Sequence, residues 1–244
     1  MAGSKKLVIG ASGFTGSHVT RLLVARGEDV RVMIRTTSST CAIYDLDVER
    51  VYGDIFNDEA LREAMAGCDV VYYCVVDARS WLQNPAPLFR TNVDGLRHVL
   101  DAAVAVDLDR FVFLSTIGTL AIRDDAAVTE DDGFNWPELG GGYIASRVEA
   151  ENLVLQYVLD RGLPAVALCV SVTFGPRDWA PTPHGAMLDA VARGRMPFYV
   201  EGAGWEVVGI EDAARALILA GERGRIGERY IVSDRFMTAR DLFG

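Results

Sequence analysis

The chain has 244 residues, half of them hydrophobic, and carries a formal charge of −10. That length exceeds one simple domain and falls short of two, and the composition is that of a folded protein with a large core. The acidic average argues against nucleic acid or an anionic membrane as partner, and no segment reaches the roughly 18 apolar residues of a membrane span.

Strand-like and helix-like stretches alternate along the sequence. KKLVIGA reads as a strand, and GSHVTRLLVARG as a helix that stops at Gly27. DVRVMIR and VERVYGDI read as strands two and three. DEALREAMAG is a helix with acidic residues in its first turn. DVVYYCVV is a fourth strand without polar alternation, and PLFRTNVDGLRHVLDAAVAVD a long helix. RFVFLST, the helix YIASRVEAENLVLQYVLDRG and the strand PAVALCV follow. Strands this uniformly apolar belong in a parallel sheet covered on both faces, and the alternation predicts a doubly wound α/β (Rossmann) fold.

After Val170 the pattern changes. TFGPRDWAPTPHG, rich in Pro and Gly, reads as loop, and AMLDAVARG as helix. EDAARALILAGERG and ERYIVS form one more helix–strand unit returning to the sheet. The reading is a dinucleotide-binding domain over 1–170, completed by about 206–234. Residues 171–205 and 235–244 are left for a small substrate-binding region, incomplete because TARDLFG starts a helix and stops. Only LVI follows the N-terminal lysine pair, too short for a signal peptide, so a cytoplasmic protein is expected. Cys41, Cys68, Cys74 and Cys169 form no C-x-x-C pair and read as buried, reduced thiols.

The first strand runs into GASGFTG, with Gly10, Gly13 and Gly16 where strand becomes helix. Gly10 permits the turn, Gly13 admits a pyrophosphate close to the backbone, and Gly16 lets the helix pack against the sheet. The helix N-terminus offers free N–H groups to phosphate. A tight turn without ligand is the alternative. At the end of the second strand an NAD enzyme usually carries an acid; here Arg35 stands there, followed by TTSST, which suits a 2′-phosphate and favours NADP. His18, His98 and His184 have no second ligand at helical spacing, so no metal is expected. Trp81, Trp136, Trp179 and Trp205 fall in loop-like stretches, and TEDD at 129–132 reads as a solvated acidic loop.

In order and spacing, GASGFTG, GDI, TNVDGLRHVLDAA, FVFLST, Y-x-x-x-R at 143–147, TFGP and VVGIEDAARA resemble the extended short-chain dehydrogenases/reductases, the epimerase/dehydratase family. The likeness runs nearly the whole chain. PTPHG, GRMPFYV and GRIGERYIV point to the dihydroflavonol-reductase-like carbonyl reductases and the hopanoid-associated sugar epimerases. The resemblance implies that Ser12, Phe14 and Thr15 share the cofactor loop with the glycines. It places Asp54 at the adenine amino group, Ile55 on the ring and Val75 near the adenosine ribose. Asn92 would lie beside the nicotinamide ribose, and the Ser171–Val172 backbone at the carboxamide. Thr116 takes the catalytic Ser/Thr place and Tyr143 that of the proton donor or acceptor.

The family's lysine is Arg147 here. One helical turn after Tyr143, arginine supplies the cation that lowers the tyrosine pKa and holds the ribose, but it does not relay a proton. On this reading Arg147→Lys keeps or raises turnover. The function expected is NADP-dependent reduction of a ketone or aldehyde, or oxidation of the alcohol. A nucleotide-sugar epimerase, using Arg177, Arg193 and Arg195 for a diphosphate, and a non-catalytic NADP-binding protein stay open, as does a homodimer. The Asp-Glu pair of the family's dehydratases is replaced by Ile117-Gly118.

Overall fold

The computed structural model describes residues 5–196 and 198–243; residues 1–4, 197 and 244 of the segments above lie outside them. Six strands follow one another as parallel neighbours or crossovers: β1 (Lys5–Ile9), β2 (Asp29–Ile34), β3 (Glu49–Tyr52), β4 (Cys68–Tyr73), β5 (Arg110–Thr116) and β6 (Ala165–Val170). With β9 (Arg229–Val232) they form one seven-stranded sheet in the order β3-β2-β1-β4-β5-β6-β9, every pairing parallel. Parallel strands need crossovers, and these are helices on both faces. On one face α2 (Asp58–Met65), α4 (Gly95–Val104) and α5 (Pro137–Arg161) bury Leu61, Leu96, Leu100 and Val154 against Tyr73, Phe111 and Phe113. On the other, α1 (Phe14–Ala25) and α7 (Ile210–Arg223) bury Val19, Leu23 and Leu217 against Val8, Val32 and Val112. This is the doubly wound α/β fold expected. Strand order reverses between β1 and β4, and such a switch point opens a crevice at the strands' carboxyl ends.

Three features differ from the linear reading. The long helix after β4 is broken into α3 (Ala86–Phe89), a π-helical turn at Arg90–Asp94, and α4. The TFGP segment is not wholly loop: Val172–Phe174 form β7, which pairs with β8 (Gly204–Gly209) and, through it, with β10 (Arg235–Thr238). Trp205 therefore sits in a strand, β8, which runs directly into α7. The His184 segment begins α6 (Pro183–Ala192), because Thr182 caps it by accepting the Gly185 N–H and Pro183 suits the first turn. A last turn, α8 (Ala239–Phe243), closes the small sheet's side. Cys68, Cys74 and Cys169 are buried, but Cys41, in the loop after β2, is exposed.

Candidate active site

Gly10 leaves β1 at φ 90°, a conformation that favours glycine, and a Cβ there would lie 3.0 Å from the backbone of Cys74 and Val75. A Cβ at Gly16 would press into the Gly10 carbonyl. Gly13, which lines the crevice, is the N-cap of α1 and offers no side chain to cap the first N–H groups. The crevice is a cleft of about 580 Å³. Gly10, Ser12, Gly13, Arg35, Ser38, Asp54, Ile55 and Val75 line it. Asp54 accepts the Phe56 N–H at 3.1 Å through one carboxylate oxygen, which makes it a turn residue as well as a cleft residue. Phe14 faces a separate hollow of about 390 Å³ beside α6, and Thr15 lines neither cavity.

The cleft holds residues that sequence reasoning missed. Asp77, Ala78, Arg79 and Thr91 line it as well. Arg79 grips the Asp77 carboxylate through Nε (2.8 Å) and Nη2 (2.6 Å), and these bonds hold that carboxyl below its usual range against the opposing effect of burial. Asn92 lies behind Asp77, fully buried. It accepts the Asp77 N–H (2.8 Å) and donates to the Asp77 carbonyl (3.1 Å) and to Ser146 Oγ (3.0 Å). Its amide thus clamps the loop that faces the cleft. The D-x-R spacing just after the fourth strand was the available signal.

The second group of expected residues gathers where β5 meets α5. Gly141 (φ 61°) breaks the start of α5, so the helix effectively restarts at Tyr143. Tyr143, Arg147 and Glu151 then share one face at a spacing of four. Thr116 ends β5 opposite Val170, with Ser171 and Val172 next in chain. Thr116 Oγ1 accepts the Gly118 N–H (3.2 Å), which leaves its own proton free to be donated. Arg147 is 1% exposed and donates through Nη2 to the Leu114 carbonyl (2.5 Å). Burial pushes the Tyr143 phenol up, and the Arg147 charge draws it back down. One turn on, Glu151 accepts from Ser115, from Thr119 (2.9 Å) and from Arg229 (2.9 Å), so the end of β5 is tied to α5 and β9.

Around this junction Arg147 Nε and Nη1 and Ser171 Oγ are buried with no hydrogen-bond partner. Together with the uncapped α1 N-terminus and the glycine turns, these unpaired donors fit a bound dinucleotide.

A family model for the NAD dependent epimerase/dehydratase family matches residues 6–233. The chain belongs to that family. Among curated family members it is 32% identical over 232 residues to sterol demethylase protein B of Methylococcus capsulatus, covering 95% of this chain and 70% of that protein. It is 31% identical over 236 residues to a 4-hydroxy-2-methyl-3-oxo-4-farnesyl-3,4-dihydroquinoline-1-oxide ketoreductase of Stigmatella aurantiaca, covering 94% and 68%. The crystal structure of gox2253 superposes with a TM-score of 0.92 at 35% identity, covering 98% of this chain and 73% of that one. The chain thus spans about two thirds of the length of the curated relatives it matches. Among the described residues no helix is long and apolar enough to cross a membrane, and no cluster of three His, Cys, Asp or Glu could hold a metal ion.

The remaining candidates have structural partners. His18 Nε2 donates to the Pro176 carbonyl (3.0 Å), and burial pushes its pKa down. His98 pairs with Asp58 (2.7 Å), and His184 packs edge-on against Phe174 and Trp205. Trp136 donates to the Leu120 carbonyl (2.8 Å), whereas Trp81 and Trp179 are exposed. Glu130 of the acidic loop is not simply solvated: its carboxylate accepts the Ile231 N–H (2.9 Å) and its carbonyl accepts from Arg229.

Proposed function

We propose that this family member is an NADP-dependent reductase of a ketone or aldehyde, working equally as dehydrogenase of the alcohol. The observation that carries the reading is the glycine-lined cleft together with the buried, unpartnered nitrogens of Arg147, one turn after Tyr143 on α5, whose Nη2 donates to the Leu114 carbonyl of β5. The ketoreductase among the relatives supports the reaction class. When bound, the reduced nicotinamide supplies a hydride equivalent to the carbonyl carbon. Thr116 donates its free hydroxyl proton to the carbonyl oxygen as a hydrogen bond and fixes its orientation. Tyr143 gives its phenolic proton to that oxygen. The Arg147 cation beside it stabilises the phenolate left behind, and as a permanent cation it takes no proton itself. Ser171 Oγ and the unpaired Arg147 nitrogens are the donors left to hold the cofactor. Arg193, a cation the epimerase reading would use, is committed to Asp189 (2.7 and 2.8 Å).

Cofactor choice is the direct test. Arg35 is exposed and lines the cleft, as does Ser38. NADPH should bind about 10- to 100-fold more tightly than NADH, the worth of a charge-assisted contact to phosphate. Arg35→Asp should narrow or reverse the gap. Fluorescence titration of both cofactors decides it; equal affinities in the wild type overturn the NADP assignment. Oxidation of NADPH across a panel of ketones tests the reaction itself.

A further inference from the structure

The Arg147 side chain is held in two ways at once. Its guanidinium carbon lies 5.0 Å over the Phe113 ring centroid, and Nη2 donates to the Leu114 carbonyl. The guanidinium thus lies over an aromatic ring while one of its nitrogens meets a backbone acceptor. Phe113 is fully buried and stacks on Tyr73, its register partner on β4, at 6.2 Å and 14°. The ring beneath the cation is therefore fixed by the sheet. Nε and Nη1 stay unpaired and buried after both contacts are made.

From this we propose that Phe113 is a positioning residue for the reaction, seating a guanidinium and not an ammonium, and that this seat is why arginine stands one turn after the tyrosine. The inference rests on the reductase reading for its kinetic arm. An ammonium is a compact point charge without a face or a directed edge. On this floor it can satisfy the ring or the carbonyl, but it has no rigid fork to keep donors aimed at the ribose as well. The seat thus reverses the expectation that lysine restores the family arrangement.

The test compares wild type, Arg147→Lys, Phe113→Leu, the double variant and Phe111→Leu. Phe111 is equally buried on the same strand and stacks on Tyr73 (6.2 Å), away from the guanidinium, so it controls for lost core volume. Arg147→Lys and Phe113→Leu should each lower kcat about 10- to 100-fold, with the ketone KM within about twofold, because a misplaced cation costs transition-state geometry and not substrate binding. The double variant should lose no more than the worse single one. Phe111→Leu should lower the thermal midpoint as much as Phe113→Leu while keeping kcat. Arg147→Lys leaves the aromatic core intact, so it reports even if Phe113→Leu does not fold. NADPH titration is read in parallel: both single variants should weaken binding non-additively and Phe111→Leu should not. A wild type that binds NADPH but reduces no ketone overturns the reductase reading, and the binding arm still judges the seat. A lysine variant with undiminished turnover or NADPH affinity, additive losses, or equal kinetics for the two leucine variants overturns the seat.

Discussion

Tyr143→Phe should cut kcat for ketone reduction about 10²–10⁴-fold, the usual worth of a positioned general acid. NADPH binding should change by less than about threefold, since no hydrogen bond from the phenol to another described residue is lost and the ring stays. The effect follows from the placement of the group. Gly141 lets α5 restart just before Tyr143, and Gly118 gives Ile144 room against the end of β5, where a Cβ would collide with it. Ile144, the neighbour of Tyr143, is thereby packed against the turn that follows Thr116. Steady-state kinetics at saturating NADPH check it. A phenylalanine variant as fast as the wild type would remove Tyr143 from the proton path.

The second large effect concerns stability. Arg229→Met should destabilise the fold by about 3–5 kcal/mol, because it strands the Glu151 carboxylate, whose side chain is only 3% exposed, without its cation. For a chain of this size that corresponds to a drop in thermal midpoint on the order of 6–20 °C. The same substitution also removes the donor to the Glu130 carbonyl, so the loop before α5 should loosen with it. Adding Glu151→Met should recover part of the loss, since two apolar side chains can replace a buried pair. Recovery should stay incomplete: Ser115 and Thr119 would lose their shared acceptor. Differential scanning calorimetry of the single and double variants measures both. A midpoint within about 2 °C of wild type for Arg229→Met would mean that the pair carries no net stability.

The contrast between these sites shows where sequence reasoning reaches. The apolar runs of β1 to β6 and the glycines at 10, 13 and 16 were legible because each is a local requirement. A strand buried on both faces must be apolar throughout, and a turn at φ 90° favours glycine whatever surrounds it. Tyr143 and Arg147 were picked out by the family resemblance, and four residues, one helical turn, put both on one face. The clamp of Asn92 on Asp77, the Arg79 grip and the tie of Glu151 to Arg229 were not. The last joins residues 78 positions apart, and nothing in either neighbourhood marks the partner. The same holds for the small sheet, where β7, only three residues long, becomes a strand because β8 pairs with it. The ring beneath Arg147 belongs to this group too: Phe113 looks like any core aromatic in RFVFLST until α5 crosses it. Sequence by itself determined the elements, their order and the residue types offered to the cleft. Which side chains share a buried charge, a ring face or a backbone clamp was decided by tertiary packing, because those partners are chosen by proximity across the sheet and not along the chain.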